Sequence, residues 1–247
     1  MEATGTVDKA VDVLFHLHAQ GAPQGVTAVG RALGLPKSSA HRLLAALGRR
    51  GLVERDDRGR YRPGIGLVAL GLGALESDPV VAAARPVLEA AARDMGETCF
   101  LVGARAERLV VLAKAEGKGF LRASPQVGAS VPVHATAVGK IFLAFGAGDV
   151  SADPHFERFS LRTVPDAVAL DAEVARARHR GFAENRDEWI PGLSVLAAPV
   201  RAGERLLAAV AAAAPSSRYE VLGVDVIRRR TLAASERIAA RVAGTGL

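Results

Sequence analysis

Pro36 constrains this chain more than any other residue, because a proline's fixed φ and missing N–H suit the first turn of a helix and no interior position. It stands inside VTAVGRALGLPKSSAHRLLAALGRR, so one helix must stop before it and another must start near it. Gly34-Leu35 supplies the turn, with Gly34 free to take positive φ. Beyond Pro36, Ala40, Leu43, Leu44 and Leu47 fall at i, i+3, i+4 and i+7, an apolar stripe that predicts packing on the preceding helices. The opposite face carries Ser38, His41, Arg42, Ala45 and Arg49. Gly51 ends this helix, Leu52 and Val53 begin a strand, and Asp57-Arg58-Gly59 makes a turn tip. On the returning strand the two-residue period puts Arg58, Arg60 and Arg62 on one face and Tyr61 on the other. Residues 26–63 therefore read as two short helices at a sharp turn followed by a basic hairpin, a winged helix-turn-helix.

Residues 26–62 hold nine Lys or Arg against three acids, a surplus of six that equals the formal net charge of the whole chain, +6. Charges elsewhere cancel, so the basic excess has a local cause and points to a polyanion at this segment. Lys37, Ser38, Ser39, His41 and Arg42 are expected near bases and phosphates in a DNA major groove, and Arg58 and Arg60 on the backbone or minor groove. Asp56 and Asp57 are expected to turn away from phosphates. The plainer reading is a solvated hairpin on an ordinary domain, but it gives no reason for the turn, the proline, the stripe and the arginine alternation to coincide.

At 247 residues with 49% hydrophobic side chains, the chain can build a sizeable core in one large or two modest domains. The single cysteine, Cys99, excludes an intrachain disulfide and a multi-cysteine metal site, and it is expected to pack in a strand. The first residues lack a basic start followed by an apolar core, and no run of about 18 uncharged apolar residues occurs. The expectation is a cytoplasmic protein with no membrane partner.

A helix is expected from Val7 to Gln20, on a stripe of Val7, Ala10, Val11, Leu14 and Leu17, with His16 and His18 too close in sequence to face one site. GIGLVALGLGALE, residues 64–76, reads as a linker helix. Ser77-Asp78-Pro79 starts a long helix striped by Val80, Ala84, Val87, Leu88, Ala91 and Met95 and ending at Gly96. From Thr98 the period changes: TCFLVGA and RLVVLAKA form a hairpin, with short strands expected at residues 120–123 and 131–133. His134-Ala135-Thr136 leads into a helix bearing Val138, Ile141, Phe142 and Phe145. Another helix spans residues 171–180, strands return at 182–186 and 193–200, and a C-terminal helix carries Val224, Ile227, Thr231, Ala234 and Ile238. Helices alternating with a mixed sheet give α+β or α/β character. Residues 206–214, nearly all Ala and Leu, are helical by propensity and a buried strand by position.

ALGLPKSSAHRLL, RGLVERDDRGRYRPG, VPVHATAVGKIFLA and PGLSVLAAPV, in this order and spacing, resemble the most recognisable stretches of the IclR family of transcriptional regulators. The resemblance covers roughly residues 6–242. It implies an α+β chain with a winged helix-turn-helix DNA-binding domain at residues 1–64, a linker helix at 65–77 and a GAF-like α/β effector-binding domain at 78–247. It also implies a homodimer or dimer of dimers on a double-stranded DNA operator, with a small-molecule effector.

The turn at residues 134–136 entering a helix leaves backbone N–H groups free at Ala137 and Val138, where the helix dipole favours a carboxylate. The resemblance further implies a pocket lined by Phe120, Ala123, Val131, Asn185, Leu193, Val195 and Ala213. Relatives often carry Cys where this chain has Val195, Asp at Asn185 and Ser at Ala213. A small polar acid such as glyoxylate would lose hydrogen bonds there, while a larger apolar or aromatic acid would gain contact area. The expected effector is therefore a carboxylate held by Ala137 and Val138 with an apolar or aromatic body against Phe120, Leu193 and Val195. Metal binding, seen in some relatives, is not expected because Val195 cannot coordinate, and no cofactor is expected.

An enzyme reading would start at Gly139-Lys140, but a phosphate-binding loop needs Gly five residues before that pair and Ser or Thr after it. Those places hold His134 and Ile141, and no nucleophile set with a local signature appears, so catalysis is not expected. The remaining rival is an effector-independent or architectural DNA-binding protein, whose DNA affinity would be indifferent to metabolites.

Overall fold

A computed structural model describes residues 5–105, 107–119, 122–146 and 150–244. The chain divides into two units between Glu76 and Ser77. The first holds α1 (Thr6–Gln20), α2 (Val26–Ala32), α3 (Lys37–Arg49), β1 (Val53–Arg55), β2 (Tyr61–Pro63) and α4 (Ile65–Glu76). Pro36 is the residue capping α3, one place ahead of the helix, and Gly34 takes φ +63° in the turn before it. The Leu35 amide donates to the Gly30 carbonyl at 2.8 Å. A Cβ on Gly30 would sit 2.9 Å from the Leu35 oxygen, so the close approach of α2 to the turn requires a glycine.

Val13, Leu17, Val29, Leu44, Leu47, Val53 and Tyr61 form the core of this unit. In α1 the buried positions are Val13 and Leu17, whereas Val7 and Val11 of the expected stripe are 75% and 42% exposed. That helix carries apolar residues around most of its circumference, so periodicity alone did not select the inward face. β1 and β2 pair antiparallel, with Glu54 opposite Arg62. The Gln24 backbone bridges Tyr61 in both directions, at 2.8 and 2.7 Å, fastening the hairpin to the helices. No residue of α4 is buried, and Ile65, Val68, Leu70 and Leu72 are all more than half exposed. Among the described residues no single helix is long and apolar enough to cross a membrane.

The second unit comprises α5 (Pro79–Met95), β3 (Thr98–Arg105), β4 (Arg108–Ala115), β5 (Ser130–Val131), α6 (Ala137–Phe145), α7 (Ala167–Arg180), β6 (Ala183–Arg186), β7 (Leu193–Ala202), β8 (Arg205–Pro215), α8 (Ser216–Leu222) and α9 (Val224–Ala243). Asp78 caps α5 by accepting from the Val80 and Val81 amides at 2.9 and 3.2 Å, and Pro79 fills the first helical position. The sheet runs β5-β4-β3-β8-β7-β6. Every pairing in it is antiparallel rather than mixed, which makes the unit α+β. Residues 120 and 121 of one expected strand lie outside the described residues, and Arg122 and Ala123 are not in a strand. The strand expected at 131–133 is shorter and starts earlier, at Ser130.

α5 and α9 lie against the sheet, and α6, with α7 behind it, packs on β6, β7 and β8. Strand alternation sends Phe100, Val102, Leu109, Val111, Ala197, Ala209, Ala211 and Ala213 into the core under α6. The ambiguous alanine run is the strand β8, with residues 208–214 at most 3% exposed. Helix propensity gives way there because a central strand with both faces covered needs small side chains on both. Cys99 is buried in β3, and burial, helped by the Glu97 charge, pushes its thiol up to about 12. α8 has no counterpart in the expected elements.

Candidate functional site

Two places bring sequence-predicted residues together. Along α3 the stripe of Ala40, Leu44 and Leu47 is buried, which leaves Lys37, Ser38, His41, Arg42 and Arg49 exposed on the outward side. Ser39 is half-buried and accepts a long bond, 3.5 Å, from Arg42 Nη2. Among the described residues Lys37, Arg42 and Arg49 make no ion pair, so their charge is available to a polyanion.

The hairpin departs from expectation. β2 is only three residues long, so Arg58 and Arg60 belong to the turn and do not line up with Arg62 along a strand. Asp56 organises that turn: its carboxylate accepts from the Arg58 and Arg60 amides at 3.0 and 2.8 Å and pairs with the Arg60 guanidinium at 2.9 Å. These bonds, led by the Arg60 amide, hold the Asp56 carboxyl below its ordinary range. Arg62 pairs with Glu54 at 3.2 Å. Of the three arginines, Arg58 is exposed and has no ion pair among the described residues. Asp56 thus folds back into the hairpin and takes Arg60 with it, whereas Asp57 is exposed.

In the second unit a cavity of about 530 Å³ is bounded by α6, the sheet and two loops. Ala123, Val131, Ala137, Val138, Asn185, Leu193, Val195 and Ala213 all line it, whereas Phe120 lies outside the described residues. The start of α6 forms one wall. Thr136 Oγ1 accepts from the Gly139 amide at 3.1 Å and donates to the Pro132 carbonyl at 2.6 Å, and the Lys140 amide reaches the Thr136 carbonyl. The first-turn amides of Ala137 and Val138 have no intrahelical acceptor, and both residues border the cavity. A Cβ on Gly139 would fall 1.8 Å from the Val133 oxygen, so only glycine lets α6 settle here.

Asn185, Val195, Ala213 and Thr98 are successive register partners across β6, β7, β8 and β3. The first three therefore form one transverse row on the cavity floor. The Asn185 amide is engaged by the protein itself, its nitrogen donating to the Ala135 carbonyl and its oxygen accepting from the Glu188 amide at 3.2 Å. Two partners of opposite polarity fix its orientation and call for an amide there, since a carboxylate would face the Ala135 oxygen. Asn185 thus braces the approach to α6, and the centre of the row is apolar.

Of the two loops, sequence reasoning named only Ala123. Residues 189–192 contribute Trp189, Ile190, Pro191 and Gly192, and residues 122–126 contribute Arg122, Ser124, Pro125 and Gln126. The one available signal was that Trp189 is the sole tryptophan of the chain and stands in a loop. Arg122 pairs with Glu116 at 2.8 Å, and Lys114 and Ser124 bind the other carboxylate oxygen at 2.7 and 2.8 Å. Led by the Lys114 contact, this network draws the Glu116 carboxyl down to about 2. Among the described residues no group of three or more His, Cys, Asp or Glu could hold a metal ion.

Comparison with known proteins fits both units. The family described as "Bacterial transcriptional regulator IclR C-terminal" matches residues 72–240, and the "IclR helix-turn-helix domain" matches residues 6–57. The chain is 32% identical over 216 residues to the probable transcriptional regulator SauR of Cupriavidus necator, covering 85% of this chain and 86% of that protein. It is 29% identical over 221 residues to the regulator XynR of Escherichia coli, covering 87% and 88%. The fold matches that of an IclR homolog from Microbacterium hydrocarbonoxydans complexed with 4-hydroxybenzoate, with a TM-score of 0.84 at 22% identity over 97% of this chain and 100% of that one.

Proposed function

Because the chain belongs to the IclR family of bacterial transcriptional regulators, it is a DNA-binding transcriptional regulator, and we propose that a small organic acid in the second unit's cavity controls its DNA affinity. The observation that carries this reading is the pairing of free first-turn amides at Ala137 and Val138 with an apolar floor at Leu193, Val195 and Ala213 in one cavity. A carboxylate would sit on the amides, where the helix dipole favours it. An apolar or aromatic body would cover the floor. About 530 Å³ suits such a molecule, within the roughly 300–1,000 Å³ common for small-ligand sites. The 4-hydroxybenzoate held by the Microbacterium homolog is of this chemical class.

On DNA, a homodimer would set two α3 helices in successive major grooves of a near-palindromic site, about 34–36 Å apart. Lys37, Ser38, His41 and Arg42 would reach bases and phosphates, Ser39 would steady Arg42, and Arg58 with Arg60 would meet the backbone. The acid would alter DNA affinity only as far as it binds one geometry of the dimer better than another.

The test is affinity for the DNA immediately upstream of the protein's own gene, against a random duplex, with benzoate, 4-hydroxybenzoate, phenylacetate and glyoxylate each added. Specific binding shifted by an aromatic acid and not by glyoxylate is the expected result. Equal binding of glyoxylate and aromatic acids, or specific DNA binding indifferent to the whole panel, would overturn the effector assignment.

A further inference from the structure

Lys140 lies in the second turn of α6, three residues after Ala137, with its side chain only 1% exposed. Its ammonium donates to Glu188 Oε1 at 2.7 Å and to the Glu184 carbonyl at 3.1 Å, with a Glu173 oxygen at 3.6 Å. Glu188 immediately precedes Trp189, Ile190 and Pro191 of the cavity wall. Its backbone is held as well: the carbonyl accepts from Thr163 Oγ1 at 2.6 Å and from Ser160 Oγ at 3.2 Å, and the amide donates to Asn185. The carboxylate is different. Oε2 is buried with no hydrogen-bond partner among the described residues, and Oε1 takes the Lys140 ammonium. Burial pushes the Glu188 carboxyl above its ordinary range, against the opposing pull of Lys140.

Two bridges therefore join the wall to the helix whose first turn faces the cavity. Asn185 reaches the Ala135 carbonyl ahead of that turn, and Glu188 reaches Lys140 behind it. A bound carboxylate on the Ala137 and Val138 amides would press on the segment between the two.

We infer that the ion pair between Lys140 and Glu188 positions the wall of residues 189–191 against the first turn of α6 and so determines which acids the cavity accepts. This rests on the acid-binding reading above. Lys140 and Glu188 act through Trp189 and the α6 amides and do not themselves line the cavity together; neither touches the ligand in this proposal. A buried pair is a poor source of net stability, since desolvation offsets the attraction. Its use here is to fix a geometry that apolar packing would leave free to slide.

The experiment compares the full-length wild type with Glu188→Gln, Lys140→Met and the double variant Lys140→Met/Glu188→Leu. Affinity for 4-hydroxybenzoate and glyoxylate is read by calorimetry, wall position by Trp189 emission, and folding by circular dichroism. Glu188→Gln is expected to weaken 4-hydroxybenzoate by about tenfold, to narrow its margin over glyoxylate and to red-shift Trp189 emission, since a site must be held within a fraction of an ångström. If the single variants fail to fold, the double variant, which leaves no unpaired charge, decides. Folded double variant with shifted emission and lost acid discrimination supports the inference; wild-type emission and wild-type affinities overturn it. If the wild type binds neither acid, the acid-binding reading fails by itself, and the Trp189 emission of the variants still decides whether the pair sets the wall.

Discussion

The outward face of α3 and the cavity of the second unit use charge in opposite ways. On α3, Lys37, Arg42 and Arg49 stand exposed without an ion pair among the described residues. Around the cavity, Arg122 is paired with Glu116 and Lys140 with Glu188, and the lining that remains is uncharged: backbone amides, apolar side chains and neutral polar ones such as Gln126 and Trp189. A surface that must attract a highly charged polymer keeps its cations free, because counterion release provides the affinity. In the proposed acid-binding pocket, the charges nearby would instead hold its own walls.

Salt should separate the two regions most sharply. If the proposed dimer neutralises about eight phosphates, log K for DNA should fall with log salt at a slope near −7, or about 10⁴-fold between 50 and 200 mM. Acid binding over the same range should change by less than about threefold, because enclosed donors are little screened. A DNA slope shallower than about −3, or an equally steep acid slope, would erase the contrast.

Glycine substitution comes next. Gly139→Ala forces a Cβ into the Val133 carbonyl and displaces the start of α6; it should cost about 1–3 kcal/mol by urea denaturation and abolish acid binding. Gly30→Ala meets the Leu35 oxygen at a less severe 2.9 Å and should cost less while impairing only DNA binding. The reverse order of losses would mean that the cavity wall yields more readily than the helix-turn-helix.

Within the DNA face, Arg42→Ala should cost about 1–3 kcal/mol on the specific site and little on a random duplex. Arg58→Ala should weaken both alike and reduce the salt slope by about one. Arg60→Ala should do less than Arg58→Ala, since Asp56 already neutralises Arg60. Competition binding at two salts measures all three, and equal effects of Arg58 and Arg60 would show that the Asp56 pair opens on DNA.

The smallest expected effect is in the cavity. Val195→Ser places a hydroxyl in the middle of the apolar row and should lower the preference for 4-hydroxybenzoate over glyoxylate by about tenfold. An unchanged ratio in calorimetric titrations would mean that the row is not the surface that reads the ligand's body.

The same contrast explains what could be read in advance. The helix-turn-helix is written locally: Pro36, Gly34 and the α3 stripe each dictate a conformation within a few residues. The capture of Arg60 by Asp56 was not legible, because it depends on where a three-residue strand ends, which periodicity does not resolve. In the second unit, the hairpin of β3 and β4 and the start of α6 were legible from their alternation and from Thr136. Six of the eight named residues that line the cavity came from likeness to a family and not from local pattern; Ala137 and Val138 came from the helix start. Asn185 was found in the cavity wall, but its amide serves Glu188 and Ala135, and the latter, 50 residues away, lies beyond any sequence window. Trp189 and Arg122 were missed because loops carry no period. The strand β8 could not be settled by propensity, as alanine favours a helix until a sheet has claimed it.

β8 also limits how this protein can diverge. With residues 208–214 at most 3% exposed and helices packed against the sheet, each added methyl group there would have to be matched by a concerted change in neighbouring elements. Sequence change is therefore expected to be more readily accommodated in the loops at 122–126 and 189–192 than at the sheet's centre. Those loops border the cavity, so the segments freest to vary are ones that face it, and its chemical preference could change without disturbing the scaffold beneath.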